Sequence, residues 1–244
     1  MQPHEIMRAT EAINQIGAAF YFAPQTVEHA KQQLGIDGFR FYFCGRGGVL
    51  GDVDADVVRS AFGYFEPGLI RKMWETGIER SGRSPREIAR EFIACGHAFG
   101  RTTFAGLDLA PFVDAAAQVI GAVEGAALTL FAGVRAEPVP DDAPAAALHQ
   151  AMVLRELRGS VHLVALVACG LSTDIAHAIR RPTETTLFGY SEGAIPSPTE
   201  DDRTRWARAE ALTDELLAPA YATLSDDQAR ALIAGTEAMA AALA

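Results

Sequence analysis

Apolar positions recur at helical spacing along almost the whole chain. Ile6, Ala9, Ile13, Ile16 and Phe20 fall three and four apart, the stripe of one helix over residues 5–22. Pro24 can open a second helix and Gly35 can close it. Asp54 stands as an N-cap before "ADVVRSAFGYF", and Pro67 starts a segment that ends at Gly77. Ser84, Pro85 and Glu87 make a capping-box start. An alanine-rich stretch predicts one long helix over about 108–132, with Gly121, Gly125 and Gly133 allowing breaks. "RAEPVPDDAP", 135–144, is the clearest linker, and it divides the chain into helical regions 1–135 and 144–244.

Past the linker a strongly apolar helix is predicted over 144–169, then a short one that stops at Pro182. Residues 183–199 carry Gly, Ser and Pro without periodicity and read as an excursion. Two helices close the chain, one over about 200–221 and one from Ser225, whose Gln228 completes a second capping box. Trp206, Leu212 and Leu216 on the first, with Leu232, Met239 and Leu243 on the second, predict a helical hairpin that docks or dimerises. No segment alternates with period two, so the fold class is mainly α, multi-helix.

Charge narrows the partners. With 21 Lys+Arg against 31 Asp+Glu the formal net charge is -10, a field that repels polyanions and argues against nucleic acid without excluding it. Cys44, Cys95 and Cys169 form no CxxC pair and suit a reducing compartment. The N-terminus has no apolar signal core, and runs such as "LVALVACGL" are too short for a bilayer, so a soluble cytoplasmic protein with no membrane contact is expected.

"FYFCGRGGVLGDVD", 41–54, packs glycines around Arg46 but matches neither dinucleotide nor P-loop spacing. Asp52, Asp54 and Asp56 crowd the start of the following helix, where they would repel a pyrophosphate. Close helix approach or a turn is the better reading of these glycines, while Arg46 either snorkels out or closes onto an anion.

The segment with most chemistry is "LHQAMVLRELRGSVHLVALVACGL", 148–171. On a helix, Arg155, Arg158 and His162 fall within about 60° of one another, beside a broad apolar face. His149 and Glu156 share another direction. Two guanidiniums heading inward need carboxylates or a bound anion. Three readings stay open. One is a buried ion-pair network with Glu156 as counter-ion. A second is a pocket for a small anionic organic ligand, with Tyr21, Tyr42 and Tyr64 as lining. The third adds acid/base chemistry by His162 and Glu156, His162 being kept neutral by the arginines. None calls for a cofactor. No two of the six histidines have the i, i+3 or i, i+4 spacing of a helix-borne metal site.

"YFAP" (21–24), "YFCGRGGVLG" (42–51), "AFGYFEP" (61–67) and "LRELRGSVHLVALVACGL" (154–171) resemble an actinobacterial family labelled helix-turn-helix or winged-helix-like. The resemblance covers about residues 5–180 and is most specific at Leu154, Arg155, Glu156, Arg158, Gly159 and His162. His149 fills a family histidine, but Leu148 stands where relatives carry an aromatic and Gly17 where they carry a histidine. The family label implies a winged helix near the C-terminus, here at most a degenerate one around Arg180 and Arg181. The closing helices are similar to the dimerisation helices of MarR-type regulators. They imply a homodimer and, as the alternative to a ligand-binding protein, a ligand-sensing regulator that binds DNA.

Overall fold

Caps set most helix ends in the computed structural model, which covers residues 1–244. Helices α1 (Pro3–Ala9), α2 (Ile13–Ile16), α3 (Pro24–Leu34), α4 (Gly38–Gly47), α5 (Ala55–Phe62) and α6 (Pro67–Ser81) come first. Then follow α7 (Pro85–Thr103), α8 (Ala110–Gly121), α9 (Thr129–Arg135), α10 (Ala143–Ala168), α11 (Thr173–Arg180), α12 (Glu200–Tyr221) and α13 (Asp226–Ala242), with no strand anywhere. The capping boxes at Ser84/Glu87 and Ser225/Gln228 both form. Asp142 caps α10 by accepting from Ala145 N at 3.1 Å.

Two predicted helices are interrupted. Residues 5–22 break after Ala9, where Thr10 Oγ donates to the Ile6 carbonyl at 2.9 Å and satisfies a helix-end acceptor. The chain then turns at Gly17, whose Cβ would lie 2.6 Å from the Ala151 carbonyl oxygen, so no side chain fits there. The stretch 108–132 splits into α8 and α9 around Ala127, which takes a positive φ of 63°.

Helix α10 is the axis of the fold. It lies against α2, α7, α8, α9 and α12, and its first four turns are buried on nearly every side. Helix α4 crosses α7 where a Cβ at Gly45 would overlap the Phe92 ring and one at Gly48 the Pro85 carbonyl. The glycines of the 41–54 stretch therefore serve close helix approach.

The last two helices do not pair chiefly with each other. Helix α12 packs on α10 and α1, and α13 packs on α8. Leu232 and Met239 are fully buried in the main core, which draws on residues from Ile6 to Met239. A second, smaller core of Ala165, Leu166, Leu171, Ala176 and Ala209 joins the end of α10 to α11 and the first half of α12. Residues 183–199 form turns rather than a wing; Phe188 anchors them by stacking on Phe65 with centroids 4.3 Å apart. No single helix is long and apolar enough to cross a membrane.

Candidate functional site

The predicted polar residues of α10 fall into two clusters, with His149 apart from both. In the first, Glu156 is 2 % exposed and accepts from Arg46 Nε and Nη2, both at 2.8 Å, a bidentate pair between α4 and α10. Tyr21 donates to the same carboxylate at 3.4 Å, and Arg46 Nη1 donates to Tyr42 at 3.2 Å. Burial alone would raise the Glu156 carboxyl, but Arg46 overrides it and holds the group below the usual carboxylate range. Burial pushes the Tyr21 phenol up to about 12. Arg155 joins this cluster from the side: its Nη1 donates to the Asn14 carbonyl at 2.6 Å, its guanidinium lies 5.5 Å from the Tyr21 ring centroid, and its Nε is buried without a partner.

Arg158 and His162 turn instead towards α12. Arg158 Nη2 donates to Glu210 at 2.9 Å, and His162 Nε2 lies 3.5 Å from the other Glu210 oxygen. His162 Nδ1 lies 2.9 Å from Thr213 Oγ, which donates its single hydrogen to the Ala209 carbonyl at 2.7 Å. Thr213 Oγ is thus left to accept from Nδ1, which carries a hydrogen, while Nε2 faces the Glu210 carboxylate without a hydrogen bond. Burial first, and Arg158 second, lower the His162 pKa, while Glu210 opposes them. Tyr64 belongs here too, stacked on His162 with centroids 6.5 Å apart, and Trp206 meets the ring edge-on at 5.2 Å. Arg158 and Glu210 also wall a cleft of about 220 Å³ between α1, α10 and α12.

The helical wheel places Arg155, Arg158 and His162 on one face, yet the guanidiniums do not converge. Arg155 swings to α2 and Arg158 to α12. The sequence reading missed Glu210 and Thr213, whose only signal is an i, i+3 spacing on one helix face. It also missed His97, whose Nε2 lies 3.1 Å from His149 Nδ1. Both imidazoles are held near pKa 4, chiefly by burial.

The backbone after these clusters has a distinct geometry. Helix α10 ends at Ala168, four residues follow, and α11 leaves at 115° to it. The turn is a Schellman motif: Leu171 N donates to Leu166 O at 3.0 Å and Gly170 N to Val167 O at 3.1 Å, with Gly170 at φ 66°. Leu171 and Leu166 meet in the small core, and Arg205 Nη1 fixes the turn from α12 by donating to Gly170 O at 3.0 Å. Two helices at about 90–120° across a glycine-bearing turn of three or four residues are the frame of a DNA-reading motif. Arg180, the last residue of α11, and Arg181, just past its end, are exposed; Arg181 pairs with Glu184 at 2.6 Å.

No curated protein and no solved structure matches the chain. A family model described as "Helix-turn-helix family" matches residues 6–192, a span that includes α10, the turn and α11 and ends before α12. This match overturns the expectation, drawn from net charge, that nucleic acid is disfavoured as a partner. Net charge sums the whole chain, whereas groove contact depends on the few side chains that one short helix presents. The chain belongs to the helix-turn-helix family.

Proposed function

We propose that the protein is a regulator that binds duplex DNA, with α11 as the helix offered to the major groove and α10 crossing behind it. The observation that carries this reading is the 115° crossing of α10 and α11 over a four-residue turn closed by Gly170. Arg180 and Arg181, at the exposed end of α11, are the phosphate contacts. So short a helix gives one copy few contacts. Two copies on one duplex would add theirs, which supports a dimer as the DNA-bound form.

The test is fluorescence-anisotropy titration of a library of genomic duplex fragments over a series of salt concentrations. Affinity should fall steeply with salt, and Arg180→Ala/Arg181→Ala should flatten the log–log slope by about 2. Binding that ignores salt, or a double variant that binds like the parent, would sink the proposal.

A further inference from the structure

We infer that the cleft between α1, α10 and α12 binds a small organic cation, a primary ammonium carried on an apolar body. Its floor is hydrocarbon, from Leu154, Leu157 and Leu217. Tyr221, only 8 % exposed, lines it too and offers a ring of the kind whose face attracts a cation. Its volume, about 220 Å³, exceeds the apolar cavity of about 150 Å³ that suffices for benzene.

The charges around this floor choose the sign of the ligand. Three carboxylates line the cleft: Glu11, Glu210 and Asp214. Arg158 is already spent on Glu210 at 2.9 Å, which leaves Arg8, exposed on the rim, as the one uncommitted guanidinium. Glu11 and Asp214 have no hydrogen-bonded or ion-paired cation on the chain. Burial raises the Asp214 carboxyl; Arg158 pulls it down, Glu210 and Glu11 push it up again, and Arg8 on the rim lowers it least. An ammonium between Glu11 and Asp214 relieves that repulsion while its hydrocarbon covers the leucine floor. A carboxylate in the same place would add to the repulsion.

Hexylamine and hexanoate, equal in chain length and opposite in charge, are the probes. Isothermal titration should show one saturable hexylamine site per chain and none for hexanoate. Glu11→Gln/Asp214→Asn removes two rim charges without touching the core and should weaken hexylamine at least about fivefold. Hexanoate binding as well as hexylamine, hexylamine binding the variant as well as the parent, or no saturable heat from either probe would each overturn the inference. The titration contains no DNA, so its outcome is separate from that of the DNA-binding proposal.

Discussion

Arg46 and Glu156 meet through two 2.8 Å hydrogen bonds, 110 residues apart in sequence, where α4 passes α10. Both side chains are out of solvent, at 13 % and 3 % exposure. The guanidinium also lies 4.3 Å from the Phe62 ring centroid. Removing one partner strands the other charge among aromatics. Glu156→Leu or Arg46→Met should each cost about 3–5 kcal/mol, and Arg46→Met/Glu156→Leu should cost clearly less than their sum, because neither member of the pair then faces a missing partner and only Arg155, held by the Asn14 carbonyl, stays charged there. Urea denaturation of the three variants measures it; a double variant as unstable as the sum of the singles would contradict the argument.

Much of this fold is legible locally. Ser84 with Glu87 and Ser225 with Gln228 mark helix starts that the structure keeps, because a cap is decided by its own few residues. What fails is whatever another element decides. The break at Gly17 answers the Ala151 carbonyl, and α13 finds α8 rather than α12. The same limit holds at the polar sites. A wheel gives the direction in which Arg155 and Arg158 leave α10, but a long side chain then chooses among partners on α2 and α12 that spacing along α10 does not encode. Net charge misled for a related reason, since it carries no position.

Thr213 fixes the tautomer of His162. With the Thr213 proton committed to Ala209 O, the imidazole presents a hydrogen on Nδ1, and burial, the largest influence on the ring, favours its neutral form. Nitrogen-15 NMR at pH 7 should show the Nδ1–H form, and Thr213→Val should shift both ring nitrogens. It should also cost about 1–3 kcal/mol by leaving a buried donor without an acceptor. A parent spectrum showing the Nε2–H form or an imidazolium would refute the assignment.

The His97–His149 pair predicts how stability depends on acid. Both folded-state pKa values are lowered to about 4 from 6.5, so between these limits the unfolded chain binds more protons than the folded one. The pair's contribution is therefore complete above pH 6.5 and is lost as the pH falls towards 4, a drop of a few kcal/mol. Melting temperature measured across that window should fall steadily. His97→Asn, which removes one titrating ring from the half-buried side, should make the slope shallower. An unchanged slope would show that other groups govern the acid limb.

Two glycines near the end of α10 should respond to the same substitution with opposite signs. Gly159 sits in the helix interior with nothing within 4 Å of the position its Cβ would take, so Gly159→Ala should stabilise by about 0.5–1 kcal/mol. Gly170 sits at φ 66°, where alanine is strained, and Gly170→Ala should destabilise by about 1 kcal/mol. The consequence for DNA should be larger than for stability. The Schellman turn sets the angle of α11 through Leu171 N and the Gly170 carbonyl held by Arg205, so relaxing Gly170 re-aims the whole of the short helix. DNA affinity measured well below both melting temperatures separates the two effects. If α11 binds DNA as proposed, Gly159→Ala should bind as the parent does and Gly170→Ala should lose at least about tenfold, because a displaced helix would forfeit its phosphate contacts together. If Gly170→Ala melts lower yet binds DNA unchanged, the α10–α11 angle is not what presents the protein to the duplex.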